Sequence, residues 1–146
     1  MDATKTTVVL LVEDDPGDQK LVRKALSNQE MLHELHIVGS GEEALEYLQR
    51  SRDRDEQSPR PDLILLDLNM PGIGGKEFLK CIKADDDSCA IPVVVLTVSD
   101  SEVDIQECYG LHAAGYIQKS ATADEFQKVI GTLSKYWLAT SSFAKD

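Results

Sequence analysis

Apolar residues fall along this chain in short continuous runs, and between them lie stretches whose apolar positions repeat at helical spacing. The first run, Thr7-Val-Val-Leu-Leu-Val12, is rich in β-branched residues and breaks at Glu13-Asp14-Asp15-Pro16. Unbroken apolarity means that both faces of the strand are covered, the pattern of a parallel sheet between two helical layers. Asp15 suits the cap of the next helix and Pro16 its first position, where a missing N–H costs nothing. Leu21, Val22, Ala25 and Leu26 then share one face. Leu35 to Val38 read as a second strand, and Ser40-Gly-Glu-Glu43 is a capping box that opens a helix bearing Ala44, Leu45 and Leu48. Residues 50–61 show no periodicity and end in two prolines, so a solvated loop is expected there.

Leu63-Ile-Leu-Leu-Asp67 is the third apolar run, followed by a turn at Pro71-Gly-Ile-Gly-Gly75 and a helix marked by Phe78, Leu79 and Ile82. Pro92-Val-Val-Val-Leu-Thr97 is the fourth. Ser99-Asp-Ser-Glu102 reads as a further capping box, before a helix whose stripe of Val103, Cys108 and Leu111 is weak. Tyr116-Ile117 is a short fifth strand ending at Lys119. Thr122-Ala-Asp-Glu125 opens a last helix over about Ala123 to Trp137, with Phe126, Val129, Ile130, Leu133 and Trp137 on one face. Strand and helix alternate throughout. Short right-handed crossovers turn that order into an α/β fold, a doubly wound five-stranded parallel sheet. The strand order expected is 2-1-3-4-5, flavodoxin-like, with its crevice beside strands 1 and 3.

Composition narrows the classes of function. The 146 residues suffice for one core without disulfides, and the 42% hydrophobic content is that of a globular protein. Fifteen lysines and arginines face 26 acidic residues, a formal charge of -11, which repels nucleic-acid phosphates and anionic lipid. A protein partner with a basic face fits better. Cys81, Cys89 and Cys108 form no metal-binding spacing and read as reduced thiols, so a cytoplasmic protein is expected. No apolar run is long enough for a signal-peptide core or a membrane span.

The charges that remain sit at strand ends. Glu13-Asp14 closes strand 1, Asp67 strand 3, Thr97 strand 4 and Lys119 strand 5. In this fold those ends converge on one crevice. Carboxylates held together repel, and a divalent cation removes that cost; hard oxygen ligands suit Mg2+. Asp67 can then present an oxygen to phosphorus, as in aspartyl-phosphate chemistry. Lys119 can neutralise charge as the transfer proceeds, and the Thr97 hydroxyl can turn toward a phosphoryl oxygen. Tyr116 is the candidate reporter of that turn. Each residue taken singly has a plainer use: Asp14 and Asp15 as helix caps, Asp67 as a turn former, Thr97 as strand filling, Tyr116 as core and Lys119 as a solvated end.

The segments VVLLVEDDP, DLILLDLNMPGIGGKEF, IPVVVLTVS and GYIQKS together resemble the receiver domains of bacterial response regulators, over residues 6–138, with 139–146 as a C-terminal tail. The resemblance implies that Asp67 is the phosphoacceptor, that Asp14 is a direct Mg2+ ligand with Glu13 acting through water, and that Asn69 lends its backbone carbonyl. It makes Thr97 and Tyr116 the switch pair and Lys119 the phosphate-binding lysine. The implied function is that of a phosphoacceptor, not a turnover enzyme, charged by a histidine kinase and signalling through protein binding or phosphorelay. The C-terminal segment GYIQKSATADEFQKVIGTLSKYWLATSSF is similar to single-domain regulators associated with bacterial phytochromes, which implies a bacteriophytochrome kinase as partner. Tyr136, Trp137 and Phe143 near the end suggest a homodimer.

Three positions depart from the family pattern. Lys119 precedes Ser120 where the family has proline and a cis bond; Val98 replaces a small residue; Gly74-Gly75 stands where Asp-Gly is common. Val98 is expected to narrow the path of attacking water, and the glycine pair to loosen its turn without touching the chemistry. Two other readings compete. One is a receiver-like interaction module that takes no phosphate. The other is a flavin-binding flavodoxin-like module, which would need a phosphate-cradling loop where Glu13-Asp14-Asp15-Pro16 stands.

Overall fold

The computed structural model describes residues 6–27, 33–98, 100–119 and 123–134. Strands and helices alternate as β1 Thr7–Val12, α1 Pro16–Ser27, β2 His33–Val38, α2 Gly41–Arg52, β3 Leu63–Leu66, α3 Gly74–Lys83, β4 Val93–Thr97, α4 Glu102–Gly110, β5 Gly115–Gln118 and α5 Ala123–Ser134. The five strands form one parallel sheet in the order β2-β1-β3-β4-β5, as the pattern predicts.

Strand side chains alternate between two cores because successive Cβ atoms point to opposite faces. Leu10, Val12, Ile64, Leu66, Val93 and Val95 face α2 and α3, where Phe78, Leu79 and Ile82 are buried. Val9, Leu11, Leu63, Leu65, Val94 and Leu96 face α1, meeting Val22, Ala25 and Leu26. Phe78 is fully buried, and its replacement by alanine would cost roughly 3–5 kcal/mol. α5 packs beside α1, and α3 lies between α2 and α4.

The helix starts follow the cap residues, with two adjustments. Asp15 accepts from the backbone N–H of Asp18 at 2.8 Å, as its cap position requires. Ser40 accepts from the Glu43 N–H at 3.1 Å, but the returning Glu43 carboxylate takes the N–H of Gly39, at 3.2 Å, instead of that of Ser40. At α4 the capping residue is Ser101, which accepts from the Asp104 N–H at 3.4 Å, two residues beyond the expected Ser99, itself outside the described residues.

Other boundaries shift for physical reasons. β2 begins at His33, since pairing of His33 and Glu34 with Thr7 and Val8 depends on backbone groups and not on apolarity. α2 runs three residues into the expected loop, to Arg52, whose guanidinium reaches Asp85 at 2.7 Å and Gln49 at 2.9 Å. α3 starts at Gly74, inside the expected turn. The α4 stripe fails at Val103, which is 65% exposed, while Cys108 is buried. Of the α5 stripe Val129 is half-buried; the side chains of Phe126, Ile130 and Leu133, like Thr122, Tyr136, Trp137, Phe143 and the tail, lie outside the described residues. Among the described residues no helix is long and apolar enough to cross a membrane.

Candidate functional site

Three chain segments are carried one step past their strands by the sheet ladder. The N–H of Glu13 donates to the Val38 carbonyl at 3.0 Å, that of Asp67 to the Val12 carbonyl at 3.0 Å, and that of Lys119 to the Thr97 carbonyl at 2.6 Å. Residues at the carboxyl ends of β1, β3 and β5 are thereby held at one edge of the sheet. This is where an open parallel sheet places its crevice.

Glu13, Asp14 and Asp67 can each bring one carboxylate oxygen within 4.8 Å of the others. Asp14 is exposed, whereas Glu13 and Asp67 are 2% and 6% exposed. Lys119 completes the group, with Nζ at 2.6 Å from Glu13 Oε1, 2.7 Å from Asp18 Oδ2 and 3.7 Å from Asp67 Oδ1. Thr97 is fully buried at the end of β4, and its Oγ1 accepts from Asn69 Nδ2 at 3.3 Å. Tyr116, on β5 beside Val95, is half-buried against the core on the α2–α3 side.

The electrostatics follow from burial of like charges. Burial pushes Glu13 up to about 7, the Lys119 hydrogen bond opposes this, and the Asp67 charge adds to it. Burial likewise raises Asp67, opposed by the Lys119 charge and by the hydrogen bond from the Asn69 backbone. Burial works against the charge of Lys119, but its bonds to Asp18 and Glu13 with the Asp67 charge prevail and raise its pKa. Three clustered carboxylates, all oxygen donors, fit a hard divalent cation, which favours their ionised forms.

All of the residues singled out at the strand ends come together. Asn69 is present too, with its side chain turned to Thr97. The Lys119–Ser120 bond lies outside the described residues. Gly75 bears on the site more closely than the turn suggests: a Cβ there would come within 2.5 Å of the Asp67 carbonyl oxygen and 2.7 Å of Leu68 Cα. Gly74, with φ of 71°, takes the left-handed backbone that glycine allows. Asp18 is the site residue that pattern reading overlooks. Its one signal is its place as the acidic residue in the first turn of α1, just after the strand-end pair Glu13-Asp14.

The chain matches the family model described as response regulator receiver domain over residues 9–131. It is 43% identical over 133 residues to the response regulator Rcp1 of Synechocystis sp., covering 91% of this chain and 90% of that protein. The crystal structure of the Mn(2+)-bound form of Rcp1 is similar with a TM-score of 0.88 and 41% identity, over 95% of this chain and 99% of that one. The phosphorylated cyanobacterial phytochrome response regulator RcpA is similar with a TM-score of 0.89 and 40% identity, over 97% of this chain and all of that one, at 100%.

Proposed function

This chain belongs to the response regulator receiver family, and we propose that it takes a phosphoryl group on Asp67 from a histidine kinase and signals by protein binding or phosphorelay. The observation that carries the reading is the Asp67 carboxylate, buried at the end of β3 beside the Glu13–Asp14 pair and with the Lys119 ammonium 3.7 Å away. Asp67 attacks phosphorus, Lys119 balances charge on the phosphoryl oxygens, and Thr97 turns its hydroxyl toward one of them. Tyr116 follows Thr97 as the second member of the switch.

Magnesium is the proposed cation, held by Asp14, Asp67 and the Asn69 backbone carbonyl, with Glu13 acting through water. Bound there, it would neutralise the carboxylates and withdraw charge from the phosphoryl group. The proposed kinase is of the bacteriophytochrome type, a reading supported by likeness to RcpA. The receiver unit is assigned to residues 6–138 and the tail to 139–146. A cytoplasmic location and freedom from nucleic acid and membrane accord with the charge of -11. Pairing into a homodimer through α5 and the tail completes the reading, and sedimentation of the intact chain against one stopped after Lys135 tests it.

Incubation with Mg2+ and acetyl phosphate, followed by intact mass measurement, tests the central assignment. The expected result is one phosphoryl adduct that chelator and Asp67→Asn both abolish. An adduct of equal extent on the Asp67→Asn protein would overturn it, and none on the native chain would favour a receiver-like module that takes no phosphate.

A further inference from the structure

We propose that Asp18 is a positioning residue for Lys119, a carboxylate outside the cation cluster that keeps the ammonium aimed at the reacting oxygens when Glu13 turns to the cation. The inference rests on Asp67 as the phosphoacceptor. An ammonium has three N–H donors. Two are committed, to Glu13 at 2.6 Å and to Asp18 at 2.7 Å, whereas Asp67 at 3.7 Å is beyond hydrogen-bond range.

The two partners differ in what else they must do. Glu13 belongs to the cluster of three carboxylates, so oxygens directed at a cation are no longer free for Lys119. Asp18 stands outside that cluster, on the first turn of α1, with its side chain 30% exposed. Its backbone is fixed by the Asp15 side chain, which accepts the Asp18 N–H at 2.8 Å. Gln19, the next residue, donates to the Glu13 carbonyl at 2.6 Å and ties this turn to the end of β1. Asp18 is therefore a rigidly mounted acceptor 101 residues from the lysine it holds.

In the transfer, an Asp67 oxygen forms a bond to the phosphorus of an acyl phosphate or phosphohistidine. The bond from phosphorus to the donor oxygen or nitrogen breaks, and the leaving group takes the electron pair. Lys119 keeps its proton throughout and donates a hydrogen bond. With Asp18 in place, the N–H released by Glu13 has its direction set by the one that Asp18 retains. Without Asp18 the ammonium is free to wander among the three remaining acidic groups, Glu13, Asp14 and Asp67, and misplacement of about an ångström is costly in rate.

The test compares the intact native protein with Asp18→Asn and Asp18→Glu, using acetyl phosphate over a Mg2+ titration. Asp18→Asn, nearly isosteric, should lower the rate at saturating Mg2+ about tenfold and leave the half-saturating Mg2+ concentration unchanged. Asp18→Glu should recover part of the loss. In the cation-free protein, the Nζ protons of Lys119 followed by NMR should exchange with water several-fold faster in Asp18→Asn, roughly as expected when an ionised acceptor gives way to a neutral amide. An undiminished rate, unchanged exchange, or a fall in Mg2+ affinity that accounts for the rate loss would each overturn the proposal. If the native protein takes no phosphate, the function reading fails, and the exchange comparison still decides whether Asp18 holds Lys119.

Discussion

The side-chain amide of Asn69 donates to the hydroxyl of Thr97 at 3.3 Å, joining the loop after β3 to the end of β4. The bond occupies a lone pair of a hydroxyl with no exposure to water, at a residue flanked in sequence by the exposed Val98. A hydroxyl that turns to a phosphoryl oxygen can keep an acceptor role toward Asn69 only if the loop follows it. Thr97→Val keeps the shape and removes the hydroxyl. It should still accept phosphate on Asp67, but the Tyr116 resonances should no longer shift on phosphorylation. Stability should fall by about 1 kcal/mol or less, the net worth of one such bond, measured by urea unfolding.

Val98 follows Thr97 directly and is 65% exposed, so its side chain contributes little to the core. That exposure makes it a clean probe of water access to the neighbouring phosphoryl group. Val98→Ala should leave the unfolding midpoint in place and shorten the half-life of phospho-Asp67 by about two- to tenfold. Decay of the acid-quenched adduct by mass measures it, and an unchanged half-life would remove Val98 from the path of water.

Gly75 tests how the backbone holds the acceptor. The neighbours of an added Cβ are the Asp67 carbonyl oxygen at 2.5 Å and Leu68 Cα at 2.7 Å, both backbone atoms of the segment that carries the site. Neither can rotate away as a side chain would. Gly75→Ala should therefore cost roughly 1–3 kcal/mol in urea unfolding, the range for overpacking. It should also slow phosphorylation, because relief comes by displacing Asp67. A full rate with native stability would mean that α3 shifts instead of β3.

What could be read from the residues was whatever depends on local pattern. Buried strands announced themselves, since Val8 to Val12, Leu63 to Leu66 and Val93 to Leu96 are apolar on both faces, and the strand-end acids, Thr97 and Lys119 followed from the fold class. The edge strand β2 is longer than its apolar run because His33 and Glu34 belong to it through backbone pairing with β1. The start of α4 is ambiguous in the pattern because Ser99 and Ser101 both precede an acid three residues on, at Glu102 and Asp104, and only the bond to the Asp104 N–H decides between them. Asp18 escapes pattern reading for a different reason. Its partner lies 101 residues away, and no periodicity encodes a contact across the crevice. The same holds for Lys76 of α3, which meets Asp104 and Glu107 of α4.

Glu13 gives the site a dependence on pH whose direction is fixed by its burial. Its folded-state pKa, about 7, lies above the ordinary 4.5, with burial as the main cause. Between those values the cation-free folded protein holds a proton that the unfolded chain has released. Its stability therefore falls as pH rises from about 5 to about 7 and levels off above. Cation binding runs the other way, because the cluster must lose that proton to receive a cation. Mg2+ affinity should tighten with rising pH, by up to about tenfold per unit below 7 for the one Glu13 proton, and flatten toward pH 8. Asp67, also raised by burial, steepens the acid side of the curve. Calorimetric titration with Mg2+ at pH 5.5, 6.5 and 7.5, about one unit apart around the Glu13 value, would follow both affinity and proton release. Glu13→Gln is the control: it should flatten the stability profile of the cation-free protein and weaken the cation at all pH values. Affinity independent of pH between about 5.5 and 7 would mean that Glu13 is already ionised there, with Lys119 outweighing its burial.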